Sequence, residues 1–370
     1  MNVWPEIAFG DLVRDETGGN VKTLQSDYLP SGAYPIVDQG QDLIGGYTND
    51  EGRVCKSELP VIVFGDHTKC FKFIDFPFCL GADGTKVLRP KKTVDERYLF
   101  YALQRLHIPE AGYSRHFKYL KDGKISLPPL DEQKRIAAIL DQADELRRKR
   151  QHAIDRLNQL GQAIFHEMFG DQCSTIKVSE YLSDIQSGKN LVGVDDDQDS
   201  GFRVLKISAV SRAGFRPSET KPLPANYQPP KEHLVENGDL IFSRANTTEL
   251  VGIPCIVEGV KSNVALPDKL WRLVPSPSKS DKHFLNFALR APSARRQIER
   301  MCSGTSGSMQ NISMQKFNSI DLPAVPLSEQ QDFATKVLRV SAIRQKVEDD
   351  YKAINSLFAS LQHRAFQGGL

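Results

Sequence analysis

The stretch Lys124-Ile-Ser-Leu-Pro-Pro-Leu-Asp-Glu-Gln133 leads into a long segment that begins at about Asp131, contains no proline and ends at Gly170. It combines a short strand pattern, a proline-rich link and a helix start. Asp131 is a favourable N-cap, and acidic residues are favoured in the first turn of a helix. The pattern returns as Ser319-Ile-Asp-Leu-Pro-Ala-Val-Pro-Leu-Ser-Glu-Gln330, again before a segment without proline.

The two copies are related by an offset of 197 residues, which places Glu132 on Glu329 and Phe169 on Phe366. A constant offset along both segments indicates a duplicated unit. Each segment predicts a helix of about 39 residues, which would be roughly 58 Å long at 1.5 Å per residue.

Apolar residues recur in steps of three and four along both segments, as in coiled-coil heptads. The pattern predicts that the two helices pair antiparallel and centred. In that register Arg147 would pair with Asp350 in the middle of the seam, with Arg150 beside them. The residues predicted for the seam and for partner docking are Ile136, Ile139, Leu146, Arg147, Arg150, Leu157, Leu160, Val340, Ile343, Val347, Asp350, Ile354 and Leu357.

The composition before each helix is different, with many Val, Ile, Phe, Gly and Pro residues. It predicts short strands at 59–64, 85–88, 201–207, 239–242 and 269–274, and one helix near the end of each domain at 94–105 and 282–301. We therefore predict a mixed α/β (α+β) chain with a pseudo-two-fold repeat. Its parts are a domain at 1–129, a helix at 130–170, a domain at 171–327 and a helix at 328–370.

Charge and cysteine usage exclude several protein classes. The 370 residues include 48 Lys and Arg against 46 Asp and Glu, a net charge of +2, which excludes a histone-like basic protein. Any nucleic-acid contact must therefore come from local basic patches. The six cysteines lie far apart without a C-x-x-C pair, so neither a zinc site nor a disulfide framework is supported. We expect a reduced intracellular protein.

The N-terminal residues lack the features of a signal peptide, and the longest apolar run, at 59–64, is too short to span a bilayer. No catalytic signature is convincing either. There is no G-x-x-x-x-G-K-[ST] or G-x-G-x-x-G motif. Leu127-Pro-Pro-Leu130 lacks the polar and aromatic residues of the [DNS]-P-P-[YFW] tetrapeptide of amino-methyltransferases. We predict a protein without catalytic residues or a metal site.

Several loops combine Arg or Lys with side chains that can hydrogen-bond to base edges or phosphates. Any one of these residues could simply be part of a solvated turn, but their recurrence in both domains favours DNA binding. The candidates in the first domain are His67, Thr68, Lys69, Lys72, Ser114, Arg115, His116 and Lys118. Those in the second are Lys189, Asn190, Ser243, Arg244, Asn246, Thr247, Ser306, Ser308, Gln310 and Asn311.

The chain resembles the specificity (S) subunits of type I restriction–modification systems over essentially its whole length. The resemblance rests on Ile125-Ser-Leu-Pro-Pro-Leu-Asp-Glu-Gln-Lys-Arg-Ile136 and on Leu322-Pro-Ala-Val-Pro-Leu-Ser-Glu-Gln330, each with its helix. It also rests on Ser306-Gly-Ser-Met-Gln-Asn-Ile-Ser313. Phe64-Gly-Asp-His-Thr68 and Asp75-Phe-Pro-Phe78 are similar to one subtype of the family's target-recognition domains.

The resemblance implies two target-recognition domains held apart by two antiparallel helices, each domain reading one half of a split site in double-stranded DNA. It implies a subunit with no active site and no cofactor of its own. Two methyltransferase (M) subunits would dock on the helices, and restriction (R) subunits would join through them. S-adenosylmethionine, ATP and Mg²⁺ would be used by those partners, in the cytoplasm of a bacterium or archaeon.

Two other hypotheses are compatible with parts of the sequence. One is a coiled-coil adaptor with two protein-binding modules, which predicts no DNA sequence preference in any complex. The other is a DNA-acting enzyme with an unrecognised motif, which predicts methyl transfer or cleavage by the purified chain alone.

Overall fold

The structure, a computed structural model, describes residues 4–81, 83–109, 114–170, 174–189, 199–303 and 309–369. The chain divides into two compact units. The first unit comprises Met1–His152 and Glu348–Leu370, and the second comprises Ala153–Val347. Each unit therefore holds one β-rich domain together with a segment of each long helix.

Short strands and helices precede each long helix. The helices are α1 Phe9–Leu12, α2 Glu96–Leu103, α3 Phe117–Lys121, α4 Leu130–Phe169, α5 Val178–Tyr181, α6 Lys282–Ala288, α7 Pro292–Met301, α8 Met314–Asn318 and α9 Leu327–Ala365. The strands of the first domain are β1 Glu6–Ala8, β2 Val13–Asp15, β3 Tyr34–Val37, β4 Gly46–Thr48, β5 Val61–Gly65, β6 Phe71–Ile74, β7 Cys79–Leu80, β8 Thr85–Pro90 and β9 Lys124–Ser126.

The strands of the second domain are β10 Thr175–Lys177, β11 Leu182–Ser187, β12 Asp199–Leu205, β13 Val210–Ser211, β14 Gly214–Phe215, β15 Thr220–Pro224, β16 Leu240–Ser243, β17 Ala245–Asn246, β18 Pro254–Ile256, β19 Val264–Ala265, β20 Leu270–Pro275, β21 Gln310–Asn311 and β22 Asp321–Pro323. Both long helices begin within one residue of their predicted starts, because each follows a proline-rich link. The end of α9 at Ala365 lies before the predicted end at 370. The predicted mixed α/β class is confirmed.

The first domain is built on a four-stranded sheet of order β2-β8-β5-β6. A three-stranded sheet, β4-β3-β7, and the pair β1-β9 complete it, and β3–β7 is a parallel pairing. In the antiparallel β5–β8 ladder Ile62 lies opposite Leu88. Every residue of β5 is buried, as expected for a central strand covered on both faces. The core of this unit also includes Phe358 and Ala365 of α9.

The second domain repeats this plan. Its four-stranded sheet has the order β11-β20-β16-β18, and its three-stranded sheet, β15-β12-β19, again contains a parallel pairing. The pair β10-β22 corresponds to β1-β9, while β13-β14 and β17-β21 are additional. In the antiparallel β16–β20 ladder Leu240 lies opposite Leu273. The duplication therefore includes the sheets as well as the long helices.

The prediction of a single helix at 282–301 is wrong. That segment is divided into α6 and α7, and Ala291 between them is extended, with φ −60° and ψ 147°. Pro292 explains the break, because proline disfavours a helical conformation at the residue before it and is well suited to the first position of a new helix.

The seam of the long helices differs from the predicted mid-seam ion pair. In the first unit Oδ2 of Asp350 lies 3.4 Å from Nη1 of Arg150. Arg147 instead pairs with Asp144 at 2.8 Å, and its guanidinium lies 4.5 Å from the centre of the Phe358 ring. The helices are therefore displaced by about one turn from the centred register.

Part of the predicted seam is also out of phase. The predicted seam residues Leu146, Leu160, Ile343 and Leu357 are exposed. The next residue in the chain takes the seam position in each case, and these are Arg147, Gly161, Arg344 and Phe358. The remaining predicted seam residues are buried or half-buried. Of the four residues that take the seam position, Arg147, Gly161 and Arg344 are not large apolar residues, so the apolar periodicity favours their neighbours. The seam position therefore follows from tertiary contacts such as that of Arg147 with Phe358.

Candidate nucleic-acid interface

Asp66 joins the two candidate loops of the first domain. It directly follows β5 and is almost fully buried. Its carbonyl oxygen accepts a hydrogen bond from the backbone N–H of His116 at 2.9 Å, and its carboxylate accepts one from the N–H of Phe117 at 2.7 Å. The turn after β5 and the start of α3 therefore form one surface.

The turn itself is held by Gln39, which follows β3. The backbone N–H of His67 donates to Oε1 of Gln39 at 3.3 Å, and the Thr68 hydroxyl donates to the Gln39 carbonyl at 2.6 Å. Lys69 adopts a left-handed backbone with φ 59°, and its ammonium donates to the carbonyl of Ile108 at 3.4 Å. This fixed turn carries polar groups to the surface at little entropic cost.

Cations surround the start of α3. The ammonium groups of Lys86 and Lys121 lie 5.0 Å and 4.9 Å from the centre of the Phe117 ring. Arg115 and Lys118 are exposed beside them. Sequence reasoning missed Lys86 and Lys121. Lys121 follows Phe117 by one helical turn and could have been found from that spacing, whereas Lys86 comes from β8 and carries no local signal.

Two predicted residues of this domain support the loops from inside. Lys72 is 6% exposed and donates to the carbonyl oxygen of Asp38 at 2.8 Å. Burial lowers the pKa of Lys72, although the neighbouring Asp38 opposes the shift. His116 is 2% exposed, with Nδ1 2.9 Å from the Asp66 carbonyl oxygen. Ser114, which precedes α3, is half-buried. Lys72 and His116 therefore position the surface rather than form it.

The second domain brings its candidate loops together through a short ladder. In the β17–β21 pair Asn246 lies opposite Gln310, and Ala245 lies opposite Asn311. The backbone N–H of Ile312 extends the contact by donating to the carbonyl of Arg244 at 3.0 Å. Residues 243–247 and 310–311 therefore form a continuous surface.

Side chains of this second surface divide into supporting and accessible ones. Ser243 and Asn246 are buried, and the Asn246 amide donates to the Ser243 hydroxyl at 3.1 Å, so both stabilise the turn. Thr247 is exposed, while Gln310 and Asn311 are half-buried. The remaining predicted residues, Asn190, Ser306 and Ser308, lie outside the residues that the structure describes.

Asp268 connects Arg244 with Lys189. Nε of Arg244 donates to the Asp268 carbonyl at 2.8 Å, and the Asp268 backbone N–H donates to the carbonyl of Lys189 at 3.1 Å. The Arg244 guanidinium also lies 5.8 Å from the centre of the Trp271 ring. Arg244, which is half-buried, belongs to residues 243–247. Its link through Asp268 therefore holds exposed Lys189 close to this segment.

The two surfaces occupy equivalent places in the duplicated fold. In each domain the end of the central strand, β5 or β16, meets the segment before a short helix, α3 or α8. Each surface combines hydrogen-bonding side chains with cations, as contacts to phosphates and base edges require. The first surface is the more basic, because Lys86, Arg115, Lys118 and Lys121 meet there.

The described residues offer no sign of two other kinds of site. No group of three or more His, Cys, Asp or Glu side chains among them could hold a metal ion. Likewise, none of the helices in the described ranges is long and apolar enough to cross a membrane.

The chain is similar to specificity subunits of type I restriction enzymes. The family model "Type I restriction modification DNA specificity domain" matches residues 4–157. The chain is 25% identical over 315 residues to the specificity subunit of the type I restriction enzyme EcoKI of Escherichia coli K12, covering 77% of this chain and 68% of that protein. It is 22% identical over 396 residues to the MjaVIII specificity subunit of Methanocaldococcus jannaschii, covering 96% and 91%.

A solved structure has a similar fold. The type I restriction–modification S subunit from M. genitalium superposes with a TM-score of 0.59 at 16% identity. The match covers 99% of this chain and 96% of that chain.

Proposed function

Since this chain belongs to the specificity (S) subunits of type I restriction–modification systems, the non-catalytic subunits of complexes that recognise DNA targets, we propose that each of its two domains reads one half of a bipartite DNA sequence. The observation that carries the proposal is the repeated surface at the ends of β5 and β16. Two equivalent surfaces in one chain suit two half-sites, and their different side chains suit an asymmetric target.

Accessible side chains define what each surface would do. In the first domain exposed Arg115 and Lys118 would contact phosphates. In the second domain Thr247, Gln310 and Asn311 offer hydrogen-bond donors and acceptors suited to base edges. The cations beside them would hold the DNA backbone.

The long helices would set the distance between half-sites. α4 is continuous from Leu130 to Phe169, and its N-terminal part belongs to the first unit while its C-terminal part belongs to the second. α9 runs in the same way from the second unit into the first. Two binding surfaces on stiff connectors favour one spacing of half-sites, since any other spacing forbids simultaneous contact.

The chemistry would belong to partner subunits. Two methyltransferase subunits would dock on the helices and use S-adenosylmethionine, with the target adenine turned out of the duplex into their active site. Restriction subunits would join through them and use ATP and Mg²⁺. The net charge of +2 suggests that these partners supply much of the phosphate contact.

The decisive experiment is co-expression with the modification subunit of the same system, followed by single-molecule sequencing of host DNA. We expect methylated adenines in a split motif with one fixed gap. Removing base-edge groups from the second surface, as in Gln310→Ala with Thr247→Ala, should relax base preference by about 1–3 kcal/mol in one half-site only.

Three results would contradict this proposal. A stable complex that methylates without sequence preference would favour the adaptor hypothesis. Equal relaxation of both half-sites in the Gln310/Thr247 variant would oppose the assignment of one domain to each half-site. Methyl transfer or cleavage by the purified chain alone would favour an enzyme.

A further inference from the structure

Two exposed methionines lie at the candidate surface of the second domain. Met309 and Met314 are 39% and 40% exposed. They flank the strand β21, Gln310–Asn311, and lie within one stretch of six residues. In the described part of this domain no other large hydrophobic side chain is exposed. Scattered exposed apolar residues are normal on a protein surface, whereas two at one polar surface indicate a contact.

The chain next to Met309 is held on both sides. The backbone N–H of Asn311 donates to the carbonyl of Ser303 at 3.0 Å, and the N–H of Ser303 donates to the carbonyl of Asn311 at 2.9 Å. On its other side Asn311 lies opposite Ala245 in the β17–β21 pair. Met309 therefore directly precedes a strand whose position is fixed by two neighbouring segments.

Met314 begins α8 and is equally well placed. The backbone N–H of Lys316 donates to the hydroxyl of the N-cap residue Ser313 at 3.3 Å. Ile312 and Phe317, on either side of Met314, are fully buried. The Phe317 ring centre lies 4.6 Å from that of Phe242 in β16. The domain core thus anchors the chain before and after Met314, while the methionine side chain stays accessible.

The groups around the two methionines suit DNA rather than an apolar protein surface. Gln310 and Asn311 lie between them, and both are half-buried and polar. Exposed Lys316 follows Met314 by two residues, and its ammonium donates to the carbonyl of Met301 at 2.8 Å. Together with the cation of half-buried Arg244, these groups complement phosphates and the polar edges of bases.

One group on the edges of DNA bases is apolar. In the major groove the polar edges of all four bases offer hydrogen-bond donors and acceptors, and thymine adds its 5-methyl group. Apolar side chains recognise that methyl group, which hydrogen-bonding side chains cannot do. Methionine is unbranched and polarizable, so it adapts to an irregular apolar surface. Thymine is therefore the base for which exposed methionines beside amide side chains are suited.

We propose that Met309 and Met314 are specificity-determining residues that contact thymine 5-methyl groups in the half-site of the second domain, from the major groove. The proposal rests on the proposed function for DNA as the partner. It adds an apolar contact to the hydrogen bonds offered by Gln310 and Asn311. No large apolar side chain is exposed within residues 67–69 or 115–118 of the first domain. This contact should therefore belong to one half-site only.

The test uses the full chain in complex with its modification subunit, bound to the target sequence found by methylation mapping. The half-site of the second domain is the one that relaxes in the Gln310/Thr247 variant. Each thymine of that half-site is replaced singly by deoxyuridine, which lacks the 5-methyl group and keeps the hydrogen-bonding groups. Fluorescence anisotropy measures the affinity for each duplex.

Three variants are compared with the wild type. Met309→Ala with Met314→Ala removes both apolar side chains, and Met309→Leu with Met314→Leu keeps apolar side chains of similar size. Gln315→Ala is the matched control at the adjacent exposed position of α8. Circular dichroism checks the fold of each variant. Because both methionines are exposed, we expect all three variants to fold.

In the wild type, deoxyuridine at one or more positions should lower affinity about fourfold, as expected for the loss of one buried methyl group. The alanine variant should bind the thymine duplex at least fourfold more weakly and lose nothing further with deoxyuridine. The leucine variant and Gln315→Ala should keep the sensitivity of the wild type. Deoxyuridine in the other half-site should affect all four proteins equally.

Three results would overturn the proposal. They are a wild type that ignores every deoxyuridine in this half-site, an alanine variant that keeps the full deoxyuridine loss, and a half-site without an A·T pair. The second result would mean that the methionines act on DNA in another way. The wild-type and leucine measurements decide the question even if the alanine variant fails to fold.

Failure of the proposed function would look different. A wild-type complex that binds all DNA sequences equally would remove the half-sites themselves and overturn both proposals. The three results above leave two half-sites and their fixed gap in place, and they remove only the contact between the methionines and thymine.

Discussion

Gln133 and Gln330, which the offset of 197 residues relates, share two equivalent hydrogen bonds in the two units. The backbone N–H of Asp95 donates to Oε1 of Gln133 at 2.8 Å, and the N–H of Asp281 donates to Oε1 of Gln330 at 2.9 Å. Asp95 and Asp281 are the N-caps of α2 and α6. Each glutamine therefore ties the start of a long helix to the start of its domain's helix.

These glutamines should be important for stability. Gln133 and Gln330 are almost fully buried, and each also donates to a carbonyl of the preceding link, of Pro128 or Val325. Gln133→Ala or Gln330→Ala leaves these buried groups unpaired, so we expect a loss of about 1–3 kcal/mol in unfolding free energy. Urea denaturation measures it. Gln142→Ala at an exposed position is the control. An equal loss of stability there would contradict the stabilising role of the buried Gln133 and Gln330 hydrogen bonds.

The seam register can be tested by double-mutant cycles. We expect Arg147 and Phe358 to couple by about 0.5–1 kcal/mol, because the guanidinium lies over the ring. Arg147 and Asp350 should show no coupling, since Asp350 contacts Arg150 instead. The partly exposed ion pair between Arg150 and Asp350 should contribute less than about 1 kcal/mol to stability. Strong Arg147–Asp350 coupling would restore the centred register.

His283 in α6 should make the chain sensitive to acid. Burial lowers the pKa of His283 from its ordinary 6.5, although Asp281 opposes the shift. The unfolded chain then binds this proton at a higher pH than the folded chain, so acidification below 6.5 reduces stability. His283→Gln should lessen the fall in Tm on acidification from about pH 7.5 to about pH 5.5. Exposed His152→Gln should not, and equal pH dependence in all three proteins would refute the effect.

The basic surface of the first domain should contribute to DNA affinity. Within the complex, Arg115→Ala or Lys118→Ala should weaken binding to all sequences similarly and lower the salt dependence by about one ion each. Fluorescence anisotropy over a range of salt concentrations measures both. Exposed Lys56→Ala is a matched loss of charge outside the two joined loops, and an equal loss of affinity there would argue against this surface.

The spacing between half-sites should follow helix length. Inserting one heptad into both α4 and α9 keeps the seam in phase and adds about 10.5 Å of helix. The preferred gap should grow by about three base pairs at about 3.4 Å per step. A four-residue insertion is the control, because it shifts the seam and should destabilise the helix pair. If the heptad variant keeps the original gap, the helices do not act as a spacer.

Much of the architecture could be predicted because its signals are local. The link at 124–133, the segment without proline after it and their repetition are all properties of neighbouring residues. They predict both long helices and a duplicated unit. The break before Pro292 is an equally local signal, and the prediction of one helix at 282–301 neglects it.

The candidate surfaces could be predicted only in part. Residues 67–69 and 115–118 do come together, because Asp66 bonds to the start of α3. Lys72 and His116 look like surface residues in the sequence but are buried. Their burial depends on contacts with Asp38 and Asp66, which are distant in the sequence. Lys86 joins the first surface through β8, which no local pattern could indicate.

By itself the sequence determined that the chain is a duplication with two long helices, because helix length, capping and periodicity are encoded by residues a few positions apart. Only the tertiary structure decided which apolar rows of those helices face each other. Leu146 and Arg147 are adjacent, as are Leu357 and Phe358. The apolar pattern favours Leu146 over Arg147 and does not distinguish Leu357 from Phe358. The seam takes Arg147 and Phe358, which contact each other, and Phe358 also contacts Tyr101 of the domain. Burial against those partners fixed the seam and left the leucines exposed.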